Sequence, residues 1–157
     1  MGELLINDDE AKRLINLIKS VVDKHNKVLD ENSQGEVRLI GSGNNSFILN
    51  YRYTQRSKVI HLREAKYNYT LLRINLNNNF HKNSDGSKIF GNRINIFSEE
   101  EYHAKGDGRT HYKCHSLPFS NISNSGDFIN TFEEFLEYSK VQNPSKVNFV
   151  IQGSLFD

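Results

Sequence analysis

Four side chains with metal-ligand chemistry, His103, His111, Cys114 and His115, fall within 13 residues of one another. Zinc takes about four ligands from thiolate and neutral imidazole, so one Cys and three His would fill a tetrahedral set. Their spacing matches no zinc-finger pattern. If residues 109–117 form a strand, His111 and His115 share one face and Cys114 points to the other. Scattered histidines around a buried thiol are the competing reading. A second pair, His81 and Asp85, sits in His81-Lys82-Asn83-Ser84-Asp85-Gly86. An imidazole near a carboxylate can serve as acid or base, but no nucleophile constellation accompanies it, and Asp85-Gly86 has turn chemistry.

A third set is larger. Residues 51–73 hold Arg52, Arg56, Lys58, Arg63, Lys66 and Arg73 against one acid, Glu64, with Tyr51, Tyr53, Tyr67 and Tyr69 interleaved. Basic groups beside aromatic rings suit a phosphate backbone with stackable bases, and a period of two would turn Arg52, Arg63 and Arg73 outward. No RNA-binding signature accompanies the patch, so a solvated sheet face is the plainer alternative. Gly41-Ser42-Gly43-Asn44-Asn45-Ser46 lacks the third glycine and the following helix of a dinucleotide fingerprint and reads as a hairpin turn.

The elements that must position these groups follow from periodicity. Residues 8 to about 30 read as a helix, with Asp8 as cap and Leu14, Ile15, Leu17, Ile18, Val21 and Val22 as its apolar stripe. The period then drops to two. Strands are expected at 36–40, 47–53, 58–64, 69–76, 88–97 and 109–117, with polar loops at 77–86 and 98–108. Phe128, Phe132, Phe135 and Leu136 mark an amphipathic helix from about Asp127 to Tyr138, and residues 147–152 a closing strand. The expected fold is one α+β domain over residues 1–157: an N-terminal helix, a mostly antiparallel sheet of six or seven strands, and a C-terminal helix packed on it.

Composition narrows the classes. Lys plus Arg number 20 and Asp plus Glu 19, so net charge selects no partner. The charge is nevertheless segregated, +5 over residues 51–73 and −3 over residues 119–157. No stretch nears the roughly 20 apolar residues of a membrane span, no export signal is visible, and a single cysteine fits a reducing compartment. A cytoplasmic setting in a bacterial host cell is the expectation. Asparagine supplies 20 residues and alanine only 3, the bias that AT-rich codons give.

The segments Leu71-Leu72-Arg73-Ile74, His81-Lys82-Asn83-Ser84-Asp85-Gly86 and Gly91-Asn92-Arg93-Ile94-Asn95-Ile96-Phe97 together resemble a family of small proteins from low-GC Gram-positive bacteria and their phages. That family's pattern is Leu-Arg, then His-x-Asn-Pro-Asp-Gly, then His-x-His-x-Tyr one strand later. The similarity covers about half the chain, from about residue 70 to the closing strand. His81, Asn83, Asp85 and Gly86 match. Ser84 stands for the proline, Arg93 and Asn95 for the two histidines, and Phe97 for the tyrosine. The resemblance implies a scaffold used for binding, without whatever chemistry those histidines performed.

The resulting expectation is a non-enzymatic inhibitor from a phage or mobile element. It would act on a macromolecular target, a nucleic-acid-handling complex of a bacterial defence system, in the manner of an anti-CRISPR protein, with direct nucleic-acid contact open. A small nuclease or toxin-like RNA-binding protein using His81, and a structural zinc module, are the alternatives. No organic cofactor is expected.

Overall fold

Asn7 starts the first helix: its side-chain oxygen accepts from the Glu10 N–H at 2.8 Å, and Asp8, Asp9 and Glu10 fill the turn where the helix dipole favours acids. In the computed structural model, which describes residues 3–152, this helix, α1 (Asp8–Asn16), buries Ala11, Leu14 and Ile15. It is less than half the length that the apolar periodicity suggests. Leu17 leaves it in extended backbone, and the chain turns into β1 (Lys19–Val21) and β2 (His25–Leu29). Ile18, Val21 and Val22 fit a strand as well as a helix. Pairing β1 with a neighbouring strand decides the matter, burying Lys19 and Val21 while Ile18 and Val22 stay exposed.

Lys19 fastens that ending. Its fully buried Nζ donates to the carbonyls of Ile15 (2.7 Å), Leu17 (3.0 Å) and Ser139 (2.8 Å), joining the end of α1 to the end of the C-terminal helix. Burial pushes its pKa down to about 7. The unfolded chain holds that proton up to about pH 10.4. Stability should therefore climb as pH rises above about 7, because only the unfolded state still binds the proton. Urea midpoints taken on both sides of that pH should show the climb in the wild-type protein and lose it in Lys19→Met.

The chain continues through β3 (Asn32–Gly41), β4 (Ser46–Thr54), β5 (Lys58–Glu64) and β6 (Thr70–Leu76). A small ribbon, β7 (Phe80–Lys82) and β8 (Lys88–Phe90), precedes β9 (Arg93–Phe97), α2 (Glu99–Lys105) and β10 (Tyr112–Ser116). Helix α3 (Phe128–Tyr138) and β11 (Val147–Ile151) complete it. Seven strands form one antiparallel sheet in the order β1-β3-β4-β5-β6-β9-β10. The α+β class, the seven-stranded sheet and the helix toward each end match the sequence expectation.

Four local features differ from it. The expected polar loop 77–86 contains β7, because Phe80–Lys82 pairs with β8 across the turn at Asp85-Gly86. The expected strand 88–97 is broken at Gly91, whose φ of 77° takes the left-handed conformation that ends β8. The expected loop 98–108 contains α2, and the sequence carries its signal: Ser98 accepts from the Glu101 N–H at 3.1 Å, a Ser-x-x-Glu start, and Gly106 closes the helix at φ 63°. The closing strand, β11, runs parallel to β2 in a separate pair rather than joining the main sheet.

One sheet face is the core. Leu49, Leu62, Leu72 and Ile74 meet Phe128, Phe132, Phe135 and Leu136 of α3, with Leu14 and Ile15 of α1 in the same apolar cluster. Tyr51 lies in this core, edge-on to Phe132 and Phe149, its hydroxyl 2.5 Å from His25 Nε2. Its ring crosses Gly35, where an added Cβ would sit 2.4 Å from the Tyr51 oxygen, so position 35 takes no side chain. No helix among the described residues is long and apolar enough to cross a membrane.

Candidate functional site

Strand register assembles the opposite face of the sheet. One row of paired residues runs Glu36, Asn50, His61, Arg73, Asn95, Cys114 across β3, β4, β5, β6, β9 and β10. The next row holds Gln34, Arg52, Val59, Asn75, Arg93 and Ser116, and a third holds Arg38, Ile48, Arg63 and Thr70. Residues paired across strands project to the same side. Five arginines therefore share one face with a single carboxylate, Glu36. That carboxylate is already engaged: it accepts from Asn50 Nδ2 at 3.1 Å and lies 3.4 Å from Arg63 Nη2.

Arg73 stands at the centre. It is partly buried, it makes no hydrogen bond or ion pair among the described residues, and its Nε is fully shielded from solvent. Directly across the strand pair, Asn95 is 6% exposed and its Oδ1 also lacks a partner. Buried donors and acceptors left unpaired cost about 1–3 kcal/mol each; an anion can supply an acceptor to the Arg73 guanidinium, whereas Asn95 Oδ1 needs a donor. Arg73 lines a groove of about 810 Å³, together with Arg52, His61, Asn75, Asn50 and the already engaged Glu36. His61 gives its Nε2 to Thr70 Oγ1 at 2.7 Å. Its pKa is pushed down to about 4, first by burial and then by Arg73 and Arg63, so it is neutral at pH 7.

Arg93 has a different task. Its Nη1 donates to Asn77 Oδ1 (2.7 Å) and to the carbonyls of Gly91 (2.8 Å) and Asn79 (3.3 Å), clamping the base of the β7–β8 ribbon onto the sheet. Asn83 docks the other end. Its side-chain amide donates to the Cys114 carbonyl at 3.0 Å and accepts from the Cys114 N–H at 2.9 Å, pairing the free edge of β10 as another strand would. Asp85 Oδ1 accepts from the Ser87 N–H and hydroxyl, and Gly86 takes φ 91°, so both shape the turn. Asn83→Ala leaves buried backbone groups of Cys114 unpaired and should lower stability by about 2–4 kcal/mol in denaturant titration.

The family model described as "Family of unknown function (DUF6978)" matches residues 6–141. The chain belongs to that family. No curated protein and no solved structure matches it. The match takes in the whole seven-stranded sheet, the ribbon and all three helices, and stops before β11 of this family member.

The remaining sequence candidates do not converge. Among the described residues no three metal-ligating side chains come together. Cys114 is buried on the Arg73 face, its thiol pushed up to about 11 by burial. His115 belongs to the opposite side of β10, its ring against Phe119. Both nitrogens of His111 are engaged, with the Arg109 carbonyl at 2.7 Å and the Thr70 N–H at 2.9 Å, and His103 sits exposed on α2. The zinc set read from the sequence is thus spread over separate surroundings. His81 and Asp85 form no pair either: Asp85 is held by Ser87, while His81 Nε2 is buried without a partner and its pKa is lowered by burial, Lys105 and Arg93.

Of the eight residues read as a binding set, Arg52, Arg63 and Arg73 do share the polar face. Tyr51 and Tyr53 do not, since Tyr51 is core and Tyr53 packs on Phe128. Lys58 follows them, lying over the Tyr53 ring at 5.5 Å. Arg56 and Lys66 occupy turns flanking β5 at its two ends. Sequence reasoning missed Arg38, Asn50, His61, Arg93 and Asn95. Period-two parity marks Arg38, Asn50 and His61 within their own strands, but only register shows that six strands contribute to one face.

Proposed function

We propose that the protein is a non-enzymatic binding module that seats an anionic surface of a larger macromolecule on its arginine-bearing sheet face. The observation that carries the reading is Arg73, an unpaired guanidinium that lines a groove with Arg52 and with its cross-strand neighbour His61. Guanidinium presents a planar fork of donors matched to phosphate and carboxylate oxygens. The candidates for chemistry read from the sequence do not support catalysis beside it: burial holds the Cys114 thiol protonated, and Asp85 is engaged by Ser87 rather than by His81. The AT-rich composition and the altered motif at Arg93 and Asn95 extend the proposal to a target, a nucleic-acid-handling complex of a bacterial defence system that is blocked by occupation.

His61 supplies the test. Its folded pKa lies below the unfolded value of about 6.5, so the fold loses stability as pH falls from about 6.5 toward 4. A bound anion stabilises the protonated imidazole and raises that pKa. Affinity for a polyphosphate or heparin fragment should then increase as pH is lowered from about 7 to 5.5, and His61→Gln should flatten the increase. Isothermal titration calorimetry reads both. Affinity that is independent of pH and of Arg73 would contradict the proposal, and RNA cleavage abolished by His81→Ala would replace it with the small-nuclease reading.

A further inference from the structure

The β7–β8 ribbon carries a second surface that the sheet face does not explain. Phe80 and Phe90 are paired across the ribbon with ring centroids 5.3 Å apart, yet they are 49% and 65% exposed. Large apolar side chains held together in water in this way cost free energy unless something covers them. Their strand neighbours on the same face are Lys82 and Lys88, also paired, and Lys88 Nζ lies 5.3 Å from the Phe80 ring centroid. Lys105 reaches the Lys82 carbonyl at 2.7 Å, adding a third ammonium. The acids nearby are already occupied: Asp85 by Ser87, and buried Glu101 by the Ser84 N–H and hydroxyl at 2.7 and 2.6 Å.

Resting on the anionic-partner reading above, we propose that this ribbon is a base-stacking platform and that the partner is a single-stranded nucleic acid. Exposed rings beside ammonium groups are what a single strand requires, a π-face for the base and cations for the phosphates around it. The platform is also tied to the groove through Arg93. Asn75 lines the groove and pairs with Arg93, and Arg93 clamps Asn79 and Gly91, the residues adjoining Phe80 and Phe90. A strand whose phosphates meet Arg52 and Arg73 would extend toward the ribbon to place a base on Phe90, the more open ring.

The test is fluorescence anisotropy with a labelled single-stranded oligonucleotide, an abasic strand of equal length and a duplex, at about 50 and about 200 mM salt. Phe90→Ala should weaken single-strand binding roughly 5- to 150-fold, leave the salt slope unchanged and leave abasic-strand binding untouched, and Phe90→Tyr should restore it. Phe90 is exposed, so the variant keeps its thermal midpoint. Arg73→Gln should instead reduce the salt slope on all three ligands. If the oligonucleotide and abasic strand bind equally and Phe90→Ala changes neither, the platform is refuted while the anionic-face reading stands. Binding to none of the three ligands refutes both. A concentration-dependent dimer abolished by Phe90→Ala also overturns the inference, since the ribbon would then be covered by a second copy of the chain.

Discussion

Phe132→Ala should cost about 3–5 kcal/mol of fold stability, measured as a shift of the urea midpoint at constant m-value. The ring is 2% exposed and meets three others: Phe149 at 4.8 Å, Phe128 at 5.7 Å and Tyr51 at 6.2 Å between centroids. Truncation removes both the buried area and these ring contacts, of which those to Phe149 and Tyr51 are edge-to-face, each worth about 0.5–1.5 kcal/mol beyond burial. The effect should also be uneven across the molecule. The parallel pair β2–β11 lies outside the main sheet, and Phe149 of β11 packs against Phe132 and Phe128. Amide exchange in β2 and β11 should therefore accelerate more than in β4 and β5. The neighbouring Glu133→Ala, on the solvated side of α3, should stay within about 0.5 kcal/mol of wild type.

Arg73→Glu should weaken binding of a polyanionic partner by at least about 100-fold at low salt. The substitution replaces the unpaired cation at the groove centre with a carboxylate, so lost attraction and new repulsion add. The fold should tolerate it, because the new carboxylate enters cationic surroundings that include Arg93, which already feels the charge of Arg73. Charge reversal on the acidic side gives the contrast. Glu133 and Glu137 are exposed on α3, whereas Glu134 holds the preceding loop by accepting from the Ser123 N–H and hydroxyl. Glu133→Lys with Glu137→Lys should leave the affinity within about threefold of wild type, since these residues lie on the core side of the sheet.

Much of this fold is legible in the sequence because the alternation of Phe47, Leu49, Tyr51 and of Ile60, Leu62 is strict, and the helix of Phe128, Phe132, Phe135 and Leu136 is amphipathic. Where local pattern serves two structures, tertiary pairing decides. Ile18 to Val22 satisfies a helical stripe and a strand equally, and hydrogen bonds from β1 to β3 and to the segment after α3 select the strand. β2 contains His25-Asn26-Lys27, which carries no strand signal at all, and exists because β11 runs beside it. The polar face shows the same division. Arg52, Arg63 and Arg73 are readable as outward-facing, but which tyrosines join them depends on parity within β4: Tyr51 and Tyr53 are odd where Arg52 is even. Asn83 is readable as part of a turn motif, while its pairing with the Cys114 backbone, 31 residues away, is not. Asp157, counted in the acidic C-terminal segment, lies outside the described residues.

An anionic partner should land on the face opposite α3. Titration of isotopically labelled protein with a single-stranded oligonucleotide, followed by backbone amide chemical shifts, tests it most directly. The shifts should gather on Gln34, Arg52, His61, Arg73 and Asn75, spread to Phe80 and Phe90, and shrink as salt is raised. Shifts confined to α3 around Glu133 and Glu137, or none at any salt concentration, would contradict it.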